Sequence, residues 1–277
     1  MPVLTYHSNN VHENSYAGND HIAFASDLRL IDRLGLRIVP LRTVVDWHAG
    51  AKPNEAVEDA VALTLDDGSW LDYHDIMHPV CGLQPGMFRL LAEFRAEGSP
   101  DRQPGLHVSS FVITSPDARE ELDRTNLIGQ GWWGDDWWRD ATRSGLMSIE
   151  CHSWDHVHDT LENVAQADNL KGDFRQVRTL EDCRRQVQQA ADYIERTAGA
   201  RPAFFAYPWG QASDFMRRDY LPGEQDRHQF RAAFSIEPRH VTCSDDEWFL
   251  PRYVCGRDWR SPEELEALLL ATETGGA

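Results

Sequence analysis

The sequence has few of the features that mark a disulfide scaffold or a membrane protein. Its five cysteines are odd in number and widely scattered, and none forms a C-x-x-C pair. This argues against a disulfide framework and against a cysteine-based zinc site. The apolar runs are short and interrupted, so we expect no transmembrane helix. A signal peptide is also missing, so we expect a cytoplasmic protein, or an exported one whose leader this sequence lacks.

Positive charge is scarce as well. Lys and Arg number 27 against 45 Asp and Glu, which gives a formal net charge of −18 at pH 7. A field of this sign repels phosphate backbones and anionic lipid headgroups, so we expect no nucleic-acid partner and no membrane partner. Hydrophobic residues make up 41% of the chain and include ten tryptophans, which is ample for a core and argues against disorder. The pattern indicates no particular oligomeric state.

Short apolar runs alternate with longer amphipathic segments along the chain. The predicted strands cover 2–6, 37–41, 60–65, 107–114, 147–151, 203–207, 232–236 and 249–254, and the predicted helices cover 25–34, 85–97, 179–197 and a segment that begins at Ser261. This alternation predicts a parallel α/β sheet or barrel with functional groups at the C-terminal ends of the strands. No repeat or low-complexity linker appears, so we expect one domain over residues 1–277.

Two segments that follow predicted strands carry the residue types of a catalytic metal site. Asp66 and Asp67 follow one strand, and His152 and His156 follow another. Histidines four residues apart on a helical turn can reach one ion, and a carboxylate completes a site that keeps open positions for water and substrate. The second Asp can act as general base on the attacking water. Taken alone, Asp-Asp-Gly is also an ordinary turn, and H-x-x-x-H is also an accidental pattern.

These residues resemble the motifs of polysaccharide deacetylases, the NodB-homology domain of carbohydrate esterase family four. Residues 64–68, TLDDG, are similar to the family's T-F-D-D-G motif, and residues 152–156 to its H-[ST]-x-x-H motif. Residues 205–210 resemble the third motif more loosely. Residues 2–7 resemble the P-V-L-x-Y-H opening of the poly-N-acetylglucosamine deacetylase branch, which looks circularly permuted. The resemblance spans about residues 2–255 and implies a distorted (β/α) barrel of about seven strands.

The resemblance also implies a role for each motif residue. Asp66 would be the general base, and His7 would be the general acid that protonates the leaving amine. Asp67, His152 and His156 would hold a divalent metal ion. Zinc suits two histidines and a carboxylate best, although cobalt, nickel or manganese would also fit.

The third motif differs from the family pattern. The backbone N–H of Trp209 would help to stabilise the oxyanion. Ala206, however, stands where the family has an arginine that contacts the catalytic aspartate. Arg252 is the candidate replacement from a neighbouring strand end, and a surface ion pair is the other interpretation of that residue.

The favoured function is metal-dependent removal of an acyl group, in the first place N-acetyl, from an amino sugar or its polymer. The substrate would be an acylated carbohydrate or a small amide. The same fold could instead hydrolyse an O-acetyl ester, a cyclic imide or another small amide, or it could bind carbohydrate without catalysis. The tryptophan-rich segment 132–138 fits either stacking on a substrate or packing of a helix onto the sheet.

Overall fold

The strands form one curled, parallel sheet and a separate short hairpin. A computed structural model describes residues 1–98, 102–127 and 129–271. The sheet consists of β1 Val3–His7, β2 Arg37–Ile38, β3 Ala60–Asp66, β6 Val108–Val112, β7 Met147–Cys151, β8 Phe204–Ala206, β9 Ala232–Phe234 and β10 Tyr253–Val254, and the antiparallel hairpin consists of β4 Ile76–His78 and β5 Gly82–Gln84. Seven of the sheet strands follow the order β10-β1-β3-β6-β7-β8-β9, and β2 pairs with β3.

The two ends of this sheet are joined by residues 250–254, which we call the closing segment. Leu250 forms an isolated bridge with Phe234 of β9. Three residues later, Tyr253 pairs with Leu4 of β1. The sheet therefore curls into a distorted (β/α) barrel, as the family resemblance implies.

Helices form most of the connections between the strands, because parallel strands need long crossovers. They are α1 Asp20–Arg33, α2 Leu41–His48, α3 Met87–Glu97, α4 Pro116–Asn126, α5 Trp138–Ser144, α6 Leu180–Cys183, α7 Gln189–Ala198, α8 Leu221–Gly223, α9 Gln225–His228 and α10 Pro262–Leu270. Shorter 3₁₀ turns cover Asn54–Ala56, Trp70–Asp72, Phe174–Gln176 and Pro208–Gly210, and π-helical turns cover Arg184–Gln188 and Met216–Tyr220. No helix in the described ranges is long and apolar enough to cross a membrane.

The two faces of the strands pack into different parts of the core, because successive side chains point to opposite faces. Leu4, Leu63 and Ile149 belong to the larger cluster, which includes the apolar faces of α1, α3 and α7. Val3 and Ala62 belong to the smaller cluster, which α2 joins. Every second residue of a strand lies on the same face, so His7 lies on the same face of β1 as Val3. Asp66 lies on the same face of β3 as Ala62. The face of the smaller cluster therefore carries the candidate catalytic residues at the C-terminal end of the barrel.

Some element boundaries differ from the expectations. The helix predicted over 179–197 is interrupted by the π-helical turn Arg184–Gln188. The strand predicted over 249–254 is reduced to Tyr253–Val254 and the bridge at Leu250. The hairpin, α2 and α4 were not predicted, since short amphipathic segments carry a weak periodic pattern.

Candidate active site

The three candidate metal ligands lie together at the C-terminal end of the barrel. Asp67, His152 and His156 each offer one ligand atom, and these atoms all lie within 4.8 Å of one another. Asp67 Oδ1 is 3.8 Å from His152 Nε2, and the two imidazole rings are 5.0 Å apart between centroids. The structure thus brings together the three side chains that the sequence predicted as ligands.

The histidines do not lie on a helical turn, so that part of the prediction is wrong. Residues 152–157 form an irregular loop in which Ser153 (φ 70°) and His156 (φ 64°) are left-handed. The loop is held by a hydrogen bond from the backbone N–H of His156 to Ser153 Oγ, at 2.9 Å. The imidazole of His152 therefore meets that of His156 through a folded loop rather than through helical spacing.

Asp67 also has a left-handed backbone, with φ 75°. Its carbonyl oxygen accepts hydrogen bonds from the backbone N–H of Ile113, at 3.1 Å, and from Trp133 Nε1, at 3.1 Å. Gly68 follows with φ 74°, and a Cβ atom there would lie 2.4 Å from Val112 Cγ1. Only glycine fits this turn without strain or a clash, so Gly68 fixes the position from which the Asp67 side chain extends.

The chemistry of the three side chains fits a divalent cation. Burial lowers the pKa of both His152 and His156, so both imidazoles are neutral and can act as ligands. His152 Nδ1 lies 2.8 Å from the carbonyl oxygen of Ala206. It donates there, which leaves Nε2, the ring atom 3.8 Å from Asp67 Oδ1, with a lone pair for a cation. His156 Nδ1 is buried and has no hydrogen-bond partner within the described residues.

Asp66 is held by Arg252 in a buried, two-pronged ion pair. Arg252 Nη1 is 2.7 Å from Asp66 Oδ1, and Nη2 is 2.8 Å from Oδ2. Burial acts to raise the pKa of Asp66, but the positive charge of the Arg252 guanidinium outweighs it and lowers the pKa to about 2. Arg252 is fully buried, so the interpretation of this residue as part of a surface ion pair is wrong.

His7 and Trp209 line the same cavity as the acidic pair. His7 lies opposite Asp66 in the register of β1 and β3. Trp209 has a left-handed backbone (φ 52°), and its indole lies 4.4 Å from the His156 ring between centroids. The cavity has a volume of about 330 Å³ and is lined by His7, Asn9, Asp66, Asp67, Ile113, Leu122, Asn126, Trp133, His152, His156, His158, Tyr207, Trp209, Gly210, Ile236, Val254 and Arg257. Every site residue predicted from the sequence lies at this cavity except Arg252, which is behind Asp66.

The tryptophan-rich segment divides between two roles. Trp137 and Trp138 are buried, and the Trp137 ring stacks on Tyr73 at 5.8 Å between centroids. These two residues therefore pack the structure around α5. Trp133 also lines the cavity and donates to the Asp67 backbone. No sequence pattern indicated this contact or the hydrogen bond from Asn9 Nδ2 to Asp67 Oδ2, at 3.0 Å.

Comparisons with known proteins agree with this fold. Residues 102–221 match the family model described as polysaccharide deacetylase, whereas no curated protein matches the chain.

IcaB from Ammonifex degensii is similar in structure, with 18% identity over 98% of this chain and 97% of its own and a TM-score of 0.63. The deacetylase PplD from Streptococcus pyogenes, solved in complex with acetate, shares 17% identity over 98% of each chain, with a TM-score of 0.61. A de-N-acetylase from Aggregatibacter actinomycetemcomitans shares 15% identity over 96% of this chain and 98% of its own, with a TM-score of 0.62. Residues 102–221 therefore resemble the polysaccharide deacetylase family, and the chain as a whole has the NodB-type fold of these solved deacetylases.

Proposed function

We propose that the protein is a metal-dependent hydrolase that removes an acyl group, in the first place N-acetyl, from an amino sugar or its polymer. The observation that carries the proposal is the convergence of Asp67, His152 and His156 beside a separate carboxylate, Asp66, in one cavity. A binding module needs no such base beside a cation site. Zinc is the ion that this ligand set suits best.

The side chains of the cavity supply the proton transfers that amide hydrolysis needs. A bound divalent ion would polarise the acyl oxygen and make a water molecule more acidic. Asp66 is ionised at neutral pH because the positive charge of Arg252 stabilises its carboxylate form. Asp66 can therefore take the proton from the attacking water. His7, across the strand pair from Asp66, would then protonate the leaving amine. The backbone N–H of Trp209 would stabilise the oxyanion.

The choice of an acetyl group as the first substrate is supported by the relatives. PplD was solved with acetate, and the protein from Aggregatibacter actinomycetemcomitans is described as a de-N-acetylase. The likeness to IcaB and the position of His7 on the first strand support the proposal that the chain belongs to the circularly permuted branch. On this proposal the acid is carried near the N-terminus.

Metal removal and restoration test the proposed reaction. Treatment with dipicolinate should abolish acetate release from N-acetylglucosamine oligomers, and Zn²⁺ or Co²⁺ should restore it. Asp66→Asn should abolish turnover while the protein keeps its bound metal, because Asp66 is not a ligand in this scheme. Turnover that survives complete metal removal would refute the mechanism. A panel with an O-acetyl ester and a cyclic imide tests the acyl group: an active imide with inert oligomers would refute the sugar substrate.

A further inference from the structure

The two oxygens of the Asp67 carboxylate have different neighbours. Oδ1 lies 3.8 Å from Nε2 of His152, one of the two histidines of the candidate metal site. Oδ2 accepts a hydrogen bond from Asn9 Nδ2 at 3.0 Å. A carboxylate oxygen that accepts an amide N–H has less electron density to offer a cation, and the bond also fixes the rotation of the carboxylate plane. One oxygen is thereby left for the histidine side of the cavity.

Asn9 is itself held in place by a turn that follows β1. The backbone N–H of Asn10 bonds to the carbonyl of His7 at 2.9 Å and closes the turn. The buried carboxylate of Asp20 holds both ends of it: Oδ2 accepts from the backbone N–H of His7 at 2.7 Å, and Oδ1 accepts from Asn10 Nδ2 at 2.6 Å. Asn9 therefore donates to Asp67 from a fixed position.

The other side of the turn is tied to the barrel in the same way. The Ser8 hydroxyl bonds to Ser69 Oγ, at 3.0 Å, and also to Asp72. The carbonyl of Ser8 lies 2.9 Å from His21 Nε2. Ser69 lies two residues after Asp67. The turn is therefore joined to the Asp67 loop at two places, by Ser8 with Ser69 and by Asn9 with Asp67.

We propose that Asn9 is a positioning residue of the metal site, which holds Asp67 so that a single oxygen, Oδ1, faces His152 and His156. This inference rests on the metal site proposed above. It gives the turn after β1 two tasks, because the same turn carries His7 at its start. The position of the acid and the orientation of the metal-binding carboxylate are therefore set by one piece of backbone.

Metal affinity measured without substrate tests the proposal. Equilibrium dialysis of Zn²⁺ against a competing chelator should show at least about tenfold weaker binding for Asn9→Ala than for the wild type, the usual effect of removing a hydrogen bond to a metal ligand. Asn9→Leu, which keeps the volume but cannot donate, should behave in the same way. Asn126→Ala is the matched control: Asn126 lines the same cavity but has no hydrogen bond to Asp67 in the described ranges, and its loss should leave Zn²⁺ affinity unchanged.

The route through Asp67 is tested in a second background. In Asp67→Ala, where the two histidines remain, adding Asn9→Ala should cause no further loss of Zn²⁺ affinity. A further loss as large as that in the wild-type background would overturn the proposal, as would an Asn9→Ala protein that binds Zn²⁺ as tightly as the wild type. A wild-type protein that binds no Zn²⁺ would overturn the proposed function as well, so the two failures are distinguishable.

Discussion

Arg252 donates two parallel hydrogen bonds to Asp66, one from Nη1 to Oδ1 and one from Nη2 to Oδ2, and both side chains are buried. Removal of the guanidinium by Arg252→Met would leave a buried carboxylate without its counter-charge. We expect the free energy of unfolding at pH 7 to fall by about 3–5 kcal/mol, as for other broken buried pairs. Urea denaturation measures the change, and Arg252→Lys, which keeps one charge, should lose less.

The pH dependence of this loss has a definite sign. The folded pKa of Asp66, about 2, lies below the unfolded value of about 3.9, so the pair stabilises the fold above pH ~4, and this contribution is lost as pH falls toward about 2. The difference in the free energy of unfolding between wild type and Arg252→Met should therefore become smaller below pH ~4. A gap that widens on acidification would contradict the assignment of the ion pair.

His156 and the nearby His158 form a matched pair for the metal site. Both line the cavity, but His158 Nδ1 is bonded to Thr160 Oγ1 at 2.9 Å and lies 3.1 Å from Asp159 Oδ1. His156→Ala should remove a ligand and lose stoichiometric zinc after dialysis, whereas His158→Ala should keep it. Elemental analysis of the dialysed proteins decides the matter. Equal zinc contents in the two variants would remove His156 from the ligand set.

Gly68 and Gly35 share the same left-handed backbone but differ in their surroundings. Both have φ 74°, so alanine carries a similar conformational cost at each. A Cβ at Gly68 meets Val112 at 2.4 Å, whereas a Cβ at Gly35 has nothing within 4 Å. Gly68→Ala should therefore cost about 2 kcal/mol more than Gly35→Ala in urea denaturation, through overpacking. Equal losses at the two glycines would mean that the loop can move away from Val112.

Glu150 makes stability depend on pH in the opposite direction from Asp66. Burial raises its pKa to about 7, although its carboxylate accepts from the backbone N–H groups of Ala203 at 2.8 Å and Phe204 at 3.0 Å. The unfolded pKa is about 4.3, so the stabilising contribution is complete below that pH and is lost as pH rises through about 7. Glu150→Gln should be more stable than wild type by about 2–3 kcal/mol at pH 8 and equal to it near pH 4.

Thermal or urea unfolding across this pH range measures the Glu150 effect. Glu247→Gln, at an exposed position, is the control for removing one negative charge from an acidic chain. Stability curves of Glu150→Gln and wild type that run parallel from pH 4 to pH 8 would contradict the raised pKa.

The sequence predicted the strand ends well because parallel strands deliver their C-terminal residues to one edge. Asp66, Asp67 and His152 follow directly from that rule, and His7 does so through the register of β1 with β3. The fold class follows from the same alternation of apolar runs and amphipathic segments. These features depend on local pattern, which a single sequence contains.

Features that depend on distant contacts were less accessible. The left-handed conformation of His156 is set by Ser153 and the surrounding core, so helical spacing described the loop wrongly. The contact of Asn9 with Asp67 joins residues 58 positions apart and has no motif to mark it. The ion pair of Arg252 with Asp66 spans 186 positions, and only the resemblance to a known family made Arg252 a candidate.

The closing segment does more than complete the ring of strands. Arg252 lies within it. Separation of the closing segment from β9 or β1 would therefore move the positive charge of Arg252 away from Asp66, while most of the helices and strands stay intact. A molecule with the closing segment detached would keep most of its secondary structure, but Asp66, the proposed base, would lose the counter-charge that keeps it ionised. We then expect turnover to be lost at a lower temperature than the circular-dichroism signal of the helices and strands. The rate of hydrolysis would therefore report whether the closing segment is in place.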